Sequence, residues 1–168
     1  ETNAARSRLI RFAASVLVLL ALAGAAIPAA AQGPEKTVLV ISSYHQGDPW
    51  TEQITEGIKS ALEGQNAKIY FEHMDSSRID EKGYFQKLYE LYRLKYAGIR
   101  FDAVICSDDT AFQFLLLHRK NLFPSTPVIF CGLNHLDDAV LADRTKYTGV
   151  VENLAIRETL DVALSLHP

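Results

Sequence analysis

Polar side chains follow directly after the aliphatic runs of this sequence, and their types suit the binding of a small polar ligand. The first run, Val38 to Ile41, leads into a loop with two hydroxyls, a phenol and an indole. Of three later runs, the first is followed by a pair of carboxylates, the second by an amide and the third by a further carboxylate. The candidate ligand-binding residues are Ser42, Ser43, Tyr44, Trp50, Asp108, Asp109, Asn134 and Glu152. Carboxylates suit an ammonium group, while hydroxyls and helix N-termini suit a carboxylate. The pattern therefore predicts a small polar solute, for which an amino-acid-like molecule is one candidate.

Each of these side chains also has a purely structural interpretation. Asp108 or Asp109 can cap the helix that follows, Glu152 can be a solvated loop residue, and Trp50 can pack on its own helix. The coincidence of polar groups at four strand ends favours a binding site over four separate structural roles.

Catalytic and metal-binding chemistry finds less support. There is no G-x-S-x-G nucleophile elbow and no phosphate-binding loop. The histidines show no i, i+4 pair, and the two cysteines lack C-x-x-C spacing. We predict no catalytic residue, no metal site and no cofactor; a secreted α/β hydrolase using His45 with Ser42 or Ser43 remains the enzymatic alternative.

The elements that must position these residues alternate along the chain. Strands are predicted at 37–41, 67–72, 101–106, 128–131 and 147–151, and helices at 50–63, 81–96, from 111 onward, at 137–142 and at 156–166. This alternation predicts right-handed crossovers and hence an α/β fold with a doubly wound, parallel five-stranded sheet. Because parallel strands all end at one edge of a sheet, the candidate residues should meet there.

Two further patterns carry structural predictions. The aromatic stripe of the second helix, from Phe85 to Tyr96, is expected to cover the sheet rather than to bind a sugar or an aromatic ligand. Cys106 and Cys131 end buried strands, so we expect two thiols rather than a disulfide.

The N-terminal segment has the features of an export signal. Arg6, Arg8 and Arg11 precede an apolar run, Phe12 to Ile27, and an A-x-A motif ends at Ala31. Residues 1–31 are therefore predicted to be a signal peptide, with an uncleaved anchor as the alternative, and residues 32–153 to form a periplasmic, ligand-binding lobe. The net charge of −3 and the absence of a basic patch argue against nucleic acid as a partner.

Four motifs in order carry a resemblance to a known family. They are Ser42 to Thr51, Ser107-Asp108-Asp109, Pro127 to Asn134, and Thr148 to Glu152. Together, over Lys36 to Pro168, the chain resembles the ABC-transporter substrate-binding-protein-like family, a branch of the type I periplasmic binding proteins. The Ser-Tyr-His loop with Pro-Trp is most similar to the extracytoplasmic sensor half of bacterial histidine kinases and diguanylate cyclases.

The resemblance implies two α/β lobes that close on a ligand. Residues 154–168 would then be the first helix of a second lobe, with the apolar stripe Ile156, Leu160 and Leu164 exposed in its absence. The implied function is small-solute sensing, with the missing lobe and a downstream membrane signalling module as partners. The alternative is a periplasmic solute-binding protein that delivers its ligand to an ABC permease.

Overall fold

Strands and helices alternate in the computed structural model, which describes residues 33–79, 81–136, 144–152 and 155–167. The strands are β1 (Lys36–Ser42), β2 (Ala67–His73), β3 (Ala103–Ser107), β4 (Val128–Leu133) and β5 (Tyr147–Val151). The helices are α1 (Pro49–Leu62), α2 (Tyr84–Lys95), α3 (Asp108–Leu122) and α4 (Ile156–Leu166), and a short 3-10 helix, Arg144–Lys146, precedes β5. The predicted signal peptide (1–31) and the predicted helix at 137–142 lie outside the described residues.

The five strands form one parallel sheet in the order β2-β1-β3-β4-β5. The chain passes from β1 to β2 on one side, and then returns across β1 to β3 on the other side. Right-handed crossovers in these two directions place helices on both faces of the sheet. The predicted doubly wound α/β fold is therefore confirmed.

One face of the sheet carries the hydrophobic core. Leu39 of β1, Val104 of β3 and Val128 of β4 are buried in register against α2 and α3. Tyr92 of α2 and Phe114 of α3 meet edge to face, with ring centroids 5.7 Å apart. Each fully buried side chain of this size contributes about 1.5–3 kcal/mol, so this layer fixes the positions from which the strand ends emerge.

The opposite face is covered by α1. Asp48 caps this helix, since its carboxylate accepts a hydrogen bond from the Thr51 backbone N–H at 3.0 Å, and Pro49 occupies the first turn. The Lys59 ammonium lies 5.3 Å from the centre of the Phe71 ring of β2. Helix α1 therefore covers the β1–β2 side, and Ile129 of β4, on the same face, remains 37% exposed.

Helix α4 lies unpacked in the described structure. None of its residues is buried, and Ile156, Leu160 and Leu164 are 56–65% exposed. The expected exposure of this apolar stripe is confirmed.

The structural alternative, in which Asp108 or Asp109 caps α3, is wrong. The N-cap position is Ser107, whose side chain makes no capping bond, and Asp108 and Asp109 already lie inside the first turn. The capping oxygen comes from another strand end: Ser43 Oγ accepts the Ala111 N–H at 2.9 Å. Neither aspartate caps the helix, since Asp108 accepts a hydrogen bond from Trp50 and Asp109 accepts one from Asn134.

Both cysteines are free thiols, as predicted, although Cys131 is only half-buried. The register of β3 and β4 explains why the two thiols do not form a disulfide. Cys106 pairs with Phe130, and Ser107 pairs with Cys131, so the two sulfur atoms leave opposite faces of the sheet.

Candidate functional site

The candidate residues lie at the carboxyl edge of the sheet, around the point where the strand order reverses. Strands β1 and β3 are neighbours there, although their following helices, α1 and α3, lie on opposite faces. Ser42, the last residue of β1, pairs with Ser107, the last residue of β3. In doubly wound sheets, such a reversal leaves a crevice at the strand ends where ligands bind.

Asp108 occupies the centre of this edge in an unusual backbone conformation. Its φ is +70°, which is rare for a residue other than glycine, and only 6% of it is exposed. One carboxylate oxygen, Oδ1, accepts a hydrogen bond from Trp50 Nε1 at 3.0 Å. The other, Oδ2, is buried and has no hydrogen-bond partner among the described residues. Burial raises the pKa of Asp108; hydrogen bonding by the Ser107 hydroxyl and by Trp50 lowers it, and the nearby charges of Asp109 and Glu152 raise it, so the net shift is upward.

Gly132 makes room for this carboxylate from the neighbouring strand β4. Its φ is +68°, and a Cβ atom at this position would lie 3.3 Å from Asp108 Oδ1. The glycine is therefore favoured both by its left-handed conformation and by the close approach of Asp108.

Asp109 and Asn134 are joined across the edge, because the Asn134 amide donates to Asp109 Oδ2 at 2.7 Å. Tyr44 lies within reach of the same charges. Its pKa is raised by partial burial and by the carboxylates of Asp108, Asp109 and Asp48. Acidic and phenolic groups from the ends of β1, β3 and β4 therefore converge.

Glu152 is held to the same edge by its backbone, since its N–H donates to the Leu133 carbonyl at 2.8 Å. Its charge reaches Asp108 and the Cys131 thiol, and it contributes to raising the pKa of both groups. The end of β5 therefore joins those of β1, β3 and β4.

The two serines differ in their roles. Ser43 is fully buried, and its hydroxyl donates to the Ser107 carbonyl and accepts from Ala111 N–H, so both of its hydrogen-bonding functions are used by the fold. Ser42 Oγ is also buried but has no partner within the described chain. Of the two, Ser42 retains an unused hydroxyl.

The site is acidic and is not neutralised by the cations that the structure describes. Within residues 33–79, 81–136, 144–152 and 155–167, the ion pairs join other residues: Lys36–Asp102, Arg78–Asp75, Lys87–Glu90 and Lys95–Glu72. The same part of the chain has no group of three or more side chains suited to hold a metal ion. Asp108, Asp109 and Glu152 thus leave uncompensated negative charge at one edge.

A groove adjoins the acidic edge between α2 and α3, and sequence reasoning did not identify it. Its volume is about 400 Å³. Its lining consists of Phe85, Asp109, Thr110, Gln113, Phe114, Leu117 and His118. Phe85 belongs to the aromatic stripe of α2, but it is 42% exposed while Leu88, Tyr92 and Tyr96 of the same stripe are buried.

Comparisons with protein-family models, with curated proteins and with solved structures found no match. The fold itself defines the class: an α/β lobe with a five-stranded parallel sheet, a strand-order reversal and polar groups at the strand ends. Among the described residues, the helices are too short or too polar to cross a membrane.

Proposed function

We propose that this chain provides one lobe of an extracytoplasmic domain that binds and senses a small solute bearing an ammonium group. The observation that carries the proposal is the carboxylate edge, where Asp108, Asp109 and Glu152 lie together and no described Lys or Arg side chain forms an ion pair with them. An unpaired buried carboxylate is costly unless a cation or a hydrogen-bond donor meets it. A ligand ammonium group at the more accessible Asp109 would lower this cost through its positive charge.

An amino-acid-like solute fits the rest of the edge. The positive ends of the α1 and α3 dipoles point toward it and can attract a ligand carboxylate, while Asp108, Asp109 and Glu152 attract the ammonium group. Tyr44 and Trp50 are only partly buried and can shield the ligand from water. The resemblance noted in the sequence adds a second lobe that would close on the ligand. Closure can be driven only by the ligand's tighter binding to the closed state.

A sensor domain and a transport protein would share the same fold and the same binding site in this lobe. We favour a sensor because the Ser-Tyr-His loop and Pro-Trp at residues 43–50 are most similar to sensor domains. The proposed partner is then a membrane signalling module, whereas an ABC permease is the partner in the alternative.

Binding to this chain can be tested by two-dimensional NMR, which detects the weak affinity expected of a single lobe. Ethylamine and L-alanine are titrated while the backbone amides of Tyr44, Asp109 and Asn134 are followed. The Asp109→Ala variant is expected to weaken binding by about tenfold or more, because it removes a charge from an ion pair formed in a partly buried site.

The Glu56→Ala variant provides the matched control. Glu56 is an exposed acidic residue of α1, so its loss changes the net charge equally without altering the strand ends. Equal affinity of the Asp109→Ala variant and the unaltered chain would remove the acidic edge from the site. Chemical-shift changes that saturate with ligand but occur only at residues away from the strand ends would refute the proposed function.

A further inference from the structure

The groove between α2 and α3 has one polar end and one apolar end. Its α3 residues follow one helical stripe, in which Asp109, Gln113 and Leu117 are spaced four residues apart. At a rise of 1.5 Å per residue, Asp109 and Leu117 lie about 12 Å apart along the helix axis. The acidic end opens at the ligand-binding edge, and the apolar end lies two turns further along α3.

The apolar end exposes side chains that a small soluble domain usually buries. Leu117 is 76% exposed and Phe85 is 42% exposed, on the two helices that flank the groove. His118 stacks on Tyr89, with ring centroids 4.7 Å apart, and burial lowers the pKa of His118. A neutral imidazole adds no positive charge that would repel a cationic ligand at this end.

We propose that the groove is a subsite for the apolar part of the ligand, and that the preferred ligand is an organic cation with a hydrophobic body. The inference rests on the proposed function, since it keeps the ammonium group at the acidic edge, where Asp109 also lines the groove. The charge of the groove supports this choice over a neutral or anionic occupant. Asp109 is the only ionised side chain among its lining residues when His118 is neutral, and no described Lys or Arg side chain forms an ion pair with it.

The size of the groove also fits such a ligand. Its volume of about 400 Å³ falls within the range of small-molecule sites. Reach is set by the whole length of a phenethylamine molecule, with a hydrogen-bond distance added at the amine and a van der Waals contact added at the ring. This total is comparable with the separation of Asp109 and Leu117, so the ring can contact Phe114 and Leu117 while the amine remains at the carboxylate.

The test compares three probes by NMR titration of the chain: phenethylamine, ethylamine and 2-phenylethanol. Phenethylamine is expected to bind about tenfold more tightly than ethylamine, because its ring adds buried apolar area. It should also bind more tightly than 2-phenylethanol, which lacks the charge. The amide signals of Phe85, Leu117 and His118 should shift with phenethylamine and not with ethylamine.

Two matched variants separate the groove from general effects on the fold. Leu117→Ser should weaken phenethylamine binding about fivefold and leave ethylamine binding unchanged. Leu94→Ser changes a leucine of α2 that is 78% exposed and does not line the groove, and it should alter neither affinity.

The outcomes distinguish the two proposals. If ethylamine binds in an Asp109-dependent manner while phenethylamine gains nothing, the groove proposal is overturned and the proposed function stands. An equal loss of phenethylamine affinity in Leu117→Ser and Leu94→Ser would also overturn the groove proposal. So would equally tight binding of 2-phenylethanol and phenethylamine. If neither amine binds, both proposals fail.

Discussion

Replacing Ser43 by alanine should destabilise the fold, because Ser43 ties β1 to the first turn of α3. Its buried hydroxyl makes two hydrogen bonds, each of 2.9 Å, to the Ser107 carbonyl and from the Ala111 N–H. In the variant, the Ser107 carbonyl keeps a bond at 3.3 Å from the Ser43 backbone N–H, whereas Ala111 N–H loses its acceptor. One orphaned buried donor costs about 1–3 kcal/mol, which agrees with the usual cost of a lost helix cap. We therefore expect a loss of about 2 kcal/mol.

Urea unfolding followed by the fluorescence of Trp50, the single tryptophan of the chain, measures this loss. The midpoint should fall and the slope should stay the same. Ser60→Ala, at an exposed position of α1, is the control and should change the free energy of unfolding by less than about 0.5 kcal/mol. A Ser43→Ala variant as stable as this control would refute the structural role of Ser43. Its hydroxyl would then again be a candidate ligand-binding group.

Three further changes test other parts of the structure. In Gly149→Ala, the new Cβ would lie 2.0 Å from the Phe130 carbonyl oxygen, so the amides of β5 should lose hydrogen-exchange protection. The pKa of Asp108 is higher in the folded chain than in the unfolded chain. The free energy of unfolding therefore decreases as the pH rises from the unfolded-state pKa through the folded-state pKa. Asp108→Asn should therefore flatten the dependence of the urea midpoint on pH, and an unchanged dependence would contradict the burial of this charge. In α4, Leu160→Glu should reduce any concentration-dependent self-association seen by light scattering; strong exchange protection of α4 in a monomer would contradict its exposure.

The order of elements could be predicted from the sequence, because hydrophobic periodicity and turn residues specify it locally. The predicted bounds of β5 and α4 agree with the observed ones, Tyr147–Val151 and Ile156–Leu166. The start of α3 was predicted three residues too late. The aspartates at positions 108 and 109 resemble caps in sequence, whereas the actual cap comes from Ser43, more than sixty residues earlier.

The convergence of the strand ends could likewise be predicted, since every strand of a parallel sheet ends at the same edge. The role of each side chain in the folded structure could not be predicted from the sequence. Sequence alone does not separate Ser43, whose hydroxyl has two structural partners, from Ser42, whose hydroxyl has none among the described residues. It also does not show that Phe85 leaves the buried stripe of its helix and lines a groove. Both properties depend on tertiary contacts between distant segments.

The acidic edge links ligand binding to stability. Burying the Asp108 carboxylate costs free energy in the ligand-free chain, and the charges of Asp109 and Glu152 increase that cost. A cation that binds only the folded chain offsets this cost, and stabilises the fold by about 2.7 kcal/mol at a concentration one hundred times its Kd. Asp108→Asn removes the charge that creates the cost, so the same substitution should stabilise the free chain at neutral pH and weaken its response to the cation. Selection for stability alone would favour asparagine, which also tolerates a positive φ. The aspartate at this position has a physical use when its charge binds a ligand.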